Sequence, residues 1–292
     1  MNFAELYSTH KRILSLEFFP PKQEAALSAA LELIADLKTL NPDFMTVTYG
    51  AGGGTRTLSG KMLRFIANNL HVPAVAHLTC VCHSIEEINS ILDSLEKDGI
   101  RNILALRGDL PLGQENFSQH PSGFSCARDL VRHIAKRGRF HIAVAGYPEM
   151  HPEATSVKAD IEYLKSKIDA GAEIIITQLF FDSSLYFDFL ARAVSEGINV
   201  PIVPGLMPIG NVSQIKRFTN LCKASMPDSL IAALSAIEND KEAVIEFGIN
   251  FAESLARKLL DGGAPGIHLY TLNNSRQARP LIERLSDYFQ KK

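Results

Sequence analysis

Arg107, Gly108 and Asp109 stand directly after four apolar residues, Ile103–Leu106, and shortly before Pro111. The apolar run has the length of a short buried strand, and the proline stops it from continuing. An arginine, a flexible glycine and a carboxylate are poor packing material at such a place but good material for a site. Other apolar runs end in the same manner. Their last residues are Glu17, Thr48-Tyr49, His77, Tyr147 with His151 close behind, Gln178, Pro204-Gly205 and Tyr270. In a barrel of alternating strands and helices the carboxyl ends of the strands carry the chemistry. A barrel that only packed would have no reason to collect these groups on one rim.

Each candidate has its own chemistry. Glu17 lies in Leu14-Ser15-Leu16-Glu17-Phe18-Phe19-Pro20-Pro21, where apolar neighbours are expected to disfavour the charged form, raise the pKa and suit a general acid. His77-Leu78-Thr79-Cys80-Val81-Cys82-His83 offers zinc-type ligands within seven residues. Structural zinc sites bring together two separated pairs, and strand alternation points His77 and Cys80 to opposite faces. We therefore read a site histidine and buried thiols, with no metal. Gly50–Gly54 follows a strand and precedes a helix, but Thr55 stands where a dinucleotide fingerprint needs its third glycine. It reads as a turn that lets backbone approach a ligand. Tyr147-Pro148-Glu149-Met150-His151-Pro152-Glu153-Ala154 is a proline-stiffened loop leading into a helix, on which Asp160 and Lys167 share one face.

These positions require a repeated element. Strands are expected at Ile13–Phe19, Phe44–Tyr49, Ala74–Leu78, Ile103–Leu106, Ile142–Tyr147, Glu173–Phe180, Pro201–Pro204 and Ile267–Thr271, each followed by a helical pattern. Helices at Asp228–Ala236 and Glu242–Leu260 follow the one at Val212–Cys222, so an extra helix is inserted before strand eight. Eight parallel β/α units without a linker fit one closed (β/α)8 TIM-type barrel over 1–292.

The 292 residues are 46% apolar and 21% charged with net charge −2, a composition that suits an enzyme with a large core and excludes a nucleic-acid footprint. No run reaches the roughly 18 apolar residues of a membrane helix, and the start has no secretory pattern. Four cysteines in a chain this long make no disulfide framework, which points to a reducing cytoplasm.

The stretches Leu16–Pro21, Val47–Ala51, Ala76–Cys80, Leu106–Pro111, Tyr147–Glu149, His151–Ala154, Ile176–Gln178 and Tyr270–Asn273 run through nearly the whole chain. In that order the chain resembles the methylenetetrahydrofolate reductase family, in its short bacterial type without a C-terminal regulatory domain. The resemblance implies a barrel that holds FAD non-covalently and takes hydride from NADH or NADPH. It then reduces 5,10-methylenetetrahydrofolate to 5-methyltetrahydrofolate in a ping-pong sequence that supplies methyl groups for methionine synthesis. It makes Glu17 the proton donor to the folate nitrogen and Asp109 a catalytic group near flavin and pterin. Thr48, Gln178, Gln214 and Tyr270 become substrate or nicotinamide contacts. Tyr49, Ala51, His77, Arg107, Gly108, Tyr147, His151, Ala154, Asp160 and Lys167 match flavin-contacting positions. A homo-oligomer is expected, with no nucleic-acid or membrane partner. The chain departs from the family at Tyr163 and Ser166, where the flavin helix has Asn and Arg, and at Asn274, where an arginine is frequent. Two other readings compete: a pterin-binding methyltransferase without redox chemistry, and a flavin-poor, non-catalytic descendant.

Overall fold

Within each strand, alternate residues face opposite sides, and both sides are buried. β1 (Ile13–Phe18) is buried at every position, as expected of a parallel strand covered by helices outside and packed side chains inside. The computed structural model describes residues 1–9, 12–49, 55–108 and 120–289. In sequence order β1 is followed by α2 (Leu27–Lys38), β2 (Phe44–Val47), α3 (Arg56–Arg64), β3 (Ala74–Thr79), α4 (Ile85–Lys97), β4 (Asn102–Leu106) and α5 (Ala127–Ala135). Then come β5 (His141–Gly146), α6 (Val157–Asp169), β6 (Ile174–Thr177), α7 (Ser183–Ser195), β7 (Ile202–Val203) and β8 (Gly205–Leu206). Three helices, α8 (Val212–Cys222), α9 (Asp228–Ile237) and α10 (Lys241–Asp261), precede β9 (Gly266–Tyr270) and α11 (Ser275–Arg284).

All pairings are parallel, in the order β7-β6-β5-β4-β3-β2-β1-β9-β8. β7 pairs with β6 and β8 with β9, so the two are halves of one strand position interrupted at Pro204, which has no N–H to give the ladder. Pro204 still accepts from the His268 N–H at 3.0 Å. The expected eight-stranded TIM-type barrel is thus present, with its seventh strand split. Five strands end earlier than their composition suggests, at Phe18, Val47, Gly146, Thr177 and Tyr270. Thr48, Tyr49 and Gln178 therefore lie just past the ladder, on the rim loops.

The helices follow from periodicity and caps. In α4 the Ser84 hydroxyl accepts from Glu87 N–H while the Glu87 carboxylate accepts from Ser84 N–H, and Ile88, Ile91, Leu92 and Leu95 form the buried stripe. One helix had no sequence signal. α1 (Phe3–Ser8) sits ahead of β1, and its fully buried Phe3 packs with Ile13, Phe44, Val75, Leu104, Ala143, Ile174 and Val203. These are inward residues at the amino ends of the strands, so α1 forms the floor of the barrel. At the opposite end α9 joins α8 and α10 in a separate apolar cluster that includes Leu179, Met207, Ile209, Leu230, Leu234 and Val244. Phe218, Tyr270 and Leu272 pack against it, so the inserted helix supports the rim.

Candidate active site

Strand register assembles the centre. Glu17 is level with Thr46 of β2 on one side and Tyr270 of β9 on the other, and Ser15 is level with His268. Glu17 is only 5% exposed. Its Oε2 accepts a hydrogen bond from His268 Nε2 at 3.3 Å, and His77 Nε2 lies equally far from the same oxygen but without hydrogen-bond geometry. On the other side of its ring, His268 Nδ1 is 2.8 Å from Ser15 Oγ, which itself lies 3.4 Å from the Ile267 carbonyl. If Ser15 donates to Nδ1, that nitrogen is the ring's acceptor, and if Ser15 donates to Ile267, Nδ1–H donates to the Ser15 hydroxyl oxygen. The chain Glu17–His268–Ser15 can therefore hold one movable proton out of contact with water.

The environment of Glu17 corrects the sequence expectation. Burial does push its carboxyl up, but the His77 ring, the His268 hydrogen bond and the His268 charge outweigh that push, and the group is held below the ordinary range. Apolar residues adjacent in sequence point out of the barrel, so they are not its neighbours in space. His77 is pushed down to about 4, chiefly by burial with Glu17 opposing, and is neutral at pH 7. Tyr270 donates its hydroxyl to the Thr177 carbonyl at 2.6 Å, and burial, with Glu17 and Tyr147 nearby, raises its pKa well above the usual value. Gly205 makes room for this ring, since a Cβ there would lie 2.5 Å from the Tyr270 hydroxyl.

A second group of residues lines the wall formed by β4, β5 and α6. Arg107 makes a two-pronged pair with Glu153, one arm at 2.8 Å, and this charge holds the Glu153 carboxyl low. Glu153 N–H donates to His151 Nδ1 at 3.1 Å, the His151 N–H donates to Asp160 at 3.0 Å, and the His151 ring meets Tyr147 edge to face at 4.6 Å. Burial lowers the His151 pKa. Ala154 N–H donates to the His151 carbonyl at 2.9 Å, which keeps the loop turned toward this wall. Lys167 is 7% exposed and donates to the Ala145 carbonyl at 2.6 Å. Desolvation pushes its pKa down to about 8, with Asp160 opposing. Gly108 is obligatory at φ +91°, where a Cβ would meet Val81 at 2.6 Å.

The remaining candidates fall into place less tightly. Tyr49 hydrogen-bonds His83 Nε2 at 3.1 Å. Thr48 N–H donates to the Phe18 carbonyl at 2.9 Å, just past β2. Gln178 uses its side-chain oxygen on Leu179 N–H, leaving its NH2 group without a hydrogen bond among the described residues. Gln214 is half-buried in the first turn of α8, capped by Asn211. Ala51 and Asp109 lie outside the described residues. Cys80 is buried between barrel and helices with its thiol on the Arg107 carbonyl, and His83 pairs with Tyr49, so the His77–His83 stretch scatters its side chains. Among the described residues no three His, Cys, Asp or Glu side chains form a metal cluster.

With the geometry in place, comparison is informative. The sequence profile described as methylenetetrahydrofolate reductase matches residues 2–286. The chain belongs to the methylenetetrahydrofolate reductase family. It is 42% identical over 282 residues to "Methylenetetrahydrofolate reductase (NADH) 1" of Arabidopsis thaliana, covering 93% of this chain and 48% of that one. It is 38% identical over 272 residues to "5,10-methylenetetrahydrofolate reductase" of Salmonella typhimurium, covering 93% and 90%. The chain thus spans about half the length of the plant relatives and nine tenths of the bacterial one. A solved structure, an uncharacterized protein from Clostridium thermocellum that binds two copies of 5-methyl-5,6,7,8-tetrahydrofolic acid, shares the fold with TM-score 0.64 at 17% identity, covering 97% of both chains.

At Tyr163, Ser166 and Asn274, where the resemblance implies other residues, the side chains present are engaged. The Tyr163 ring lies against Lys167 Nζ at 5.4 Å, and its hydroxyl accepts from the Arg128 N–H at 3.4 Å. Ser166 bonds back to its own helix, Lys165 is tied to Asp169, and Lys167 alone of the three turns inward. Asn274 caps α11, and Arg276 pairs with Glu242 at 2.8 Å. Ser15 and His268 were absent from the sequence reading. Their signal was present: Ser15-x-Glu17 and His268-x-Tyr270 each place two polar side chains on one face of a strand otherwise filled with apolar residues.

Proposed function

We propose that residues 1–292 form one catalytic barrel that reduces 5,10-methylenetetrahydrofolate to 5-methyltetrahydrofolate, using NADH or NADPH and non-covalent FAD in a ping-pong sequence. The observation that carries the reading is the buried Glu17–His268–Ser15 chain beside a wall bearing Arg107 and Lys167. That wall fits a flavin dinucleotide. A buried ammonium at Lys167, whose partners are a carbonyl, a ring and Asp160, suits a diphosphate, while the Arg107 fork on the same wall is closed on Glu153. Tyr49, His77, Gly108, Tyr147, His151, Ala154 and Asp160 complete the surface, together with Ala51 and Asp109 assigned by resemblance. Bound there, FAD supplies the means of passing a hydride from nicotinamide to the folate methylene carbon.

The chain's own residues handle the proton. Opening the folate imidazolidine ring requires protonation of a ring nitrogen, and Glu17 delivers that proton from the store shared with His268 and Ser15. Because the carboxyl is held low while unliganded, an arriving pterin is met by an anion that gains its proton only with the histidine's cooperation. Gln178, Gln214 and Thr48 orient the substrate, and Tyr270 borders it as a neutral hydroxyl. Asp109 is assigned by resemblance to the pterin and to the charge beside it. The enzyme works in the cytoplasm as a homo-oligomer and feeds methyl groups to methionine synthesis.

The test is a visible spectrum of the purified protein under anaerobic titration, first with NADH and then with methylenetetrahydrofolate. A flavin spectrum that bleaches with the first and recovers with the second is expected. Colourless protein that takes up no added FAD would refute the reading. In the Glu17→Gln variant, bleaching by NADH should persist while recovery with folate falls by about 10²–10⁴-fold, the usual contribution of a positioned acid. Asp109→Asn should slow recovery more than bleaching, and equal loss in both would remove its folate role.

A further inference from the structure

Helix α6 brings little positive charge to the flavin wall. Tyr163 and Ser166 stand where the resemblance implies Asn and Arg, and the Ser166 hydroxyl donates to the Tyr163 carbonyl at 2.6 Å. Lys165 is tied to Asp169, which leaves Lys167 turned inward. Both phosphates of a dinucleotide are ionised, and one ammonium balances only one of them. Arg107 stands on the same wall, but Glu153 closes its fork. The other phosphate needs a different cation.

The first turn of α5 carries one. Arg128 is half-buried, and its Nε donates to Asp129 Oδ1 at 3.2 Å, while its two terminal nitrogens make no hydrogen bond among the described residues. Asp129 also accepts from Arg132 at 3.0 Å and from the Cys126 thiol at 3.3 Å, so its charge is shared. The guanidinium is thereby oriented through one nitrogen, with its outer edge open. Its surroundings belong to the flavin wall. The Arg128 N–H donates to the Tyr163 hydroxyl at 3.4 Å, and the Tyr163 ring centre lies 5.4 Å from Lys167 Nζ. Cys126 is within electrostatic reach of both cations, and of Cys80, whose thiol rests on the Arg107 carbonyl. Tyr163 thus bridges α5 and α6, with Lys167 against its ring and Arg128 beside its hydroxyl. We propose that Arg128 holds the diphosphate of the flavin dinucleotide from α5, in place of the arginine that α6 lacks. The inference rests on the reading of FAD as the bound group. An arginine fork matches phosphate oxygens better than a single ammonium, and solvent around a half-buried side chain moderates the gain to about tenfold in affinity.

The experiment is release of FAD from the purified holoenzyme on serial dilution, read as the rise in flavin fluorescence. Wild type, Arg128→Gln, Ser166→Arg and the double variant are compared. Arg128→Gln should raise the Kd for FAD about tenfold at low salt, and by less at about 0.3 M salt, where partly exposed pairs are screened. Ser166→Arg should recover most of that loss in the Arg128→Gln background yet add little to wild type, because both arginines then serve the same phosphates. A Kd unchanged in Arg128→Gln overturns the proposal while leaving the reductase reading intact. A loss that Ser166→Arg does not recover would make Arg128 a packing residue and overturns it as well. Strictly additive effects do the same, since the two positions would then act separately. Wild type that is purified colourless and takes up no added FAD overturns both.

Discussion

Ser15 has no access to solvent and touches no proposed ligand, yet it decides which tautomer His268 presents to Glu17. Replacing it with Ala leaves Nδ1 without its partner inside the barrel, and the proton store loses one end. Ser15→Ala should slow the folate half-reaction on the order of tenfold and shift its pH profile, while flavin reduction by NADH changes little. Rapid mixing of each half-reaction checks this, and an unshifted profile would reduce Ser15 to packing. Gly108 works through shape alone. Gly108→Ala forces a positive φ on a Cβ that meets Val81 and Thr79, so a loss of about 1–3 kcal/mol is expected in urea unfolding, with weakened retention of FAD as Arg107 shifts. At this scale the residue types were legible but not their surroundings. Glu17 looked apolar-flanked because Leu16 and Phe18 adjoin it in sequence. The alternation that buries them outside brings His77 and His268 inside.

Among the elements, those defined by period and punctuation were legible from the chain alone. The Ser84–Glu87 cap and the stripe below it mark α4, and runs such as Ile174-Ile175-Ile176 mark buried parallel strands. The split of the seventh strand is implicit in Pro204, since a ladder cannot pass a residue without an N–H. α1 was not legible. Six residues with one buried side chain have no amphipathic stripe, and only the tertiary environment gives Phe3 its place. That environment makes it costly to lose. Phe3→Ala should destabilise the protein by about 3–5 kcal/mol, measured by chemical denaturation, while the assembled enzyme keeps its turnover at low temperature. A cost below about 1 kcal/mol would show that α1 only rests against the barrel.

For the whole molecule, the buried charges set a direction for stability against pH. His77 titrates at about 4 when folded and near 6.5 when unfolded, so between those values the unfolded chain binds the extra proton. Stability from this group is therefore lost as pH falls from about 6.5 to about 4, by up to roughly 3 kcal/mol. Glu17 is held below its unfolded value, so its contribution is present above about 4.5 and disappears as pH falls through the folded pKa. Both effects weaken the protein in acid, with His77 acting first. Urea midpoints of wild type and His77→Gln at pH 7 and pH 4.5 test the order. The variant should lose less between them, and parallel losses would exonerate the imidazole.

The α1 floor also governs traffic. Among the described residues, Phe3 and the inward residues around it close the amino end of the barrel, and Ser15, His268 and Glu17 lie buried above that floor. Whatever reaches the bottom must back out along the route it took in. No queue can form behind an occupant and no exit lies ahead of it, so visitors are served strictly in turn. Their order then depends on how quickly each withdraws, and changes to the lip should alter turnover more readily than changes to the α1 floor.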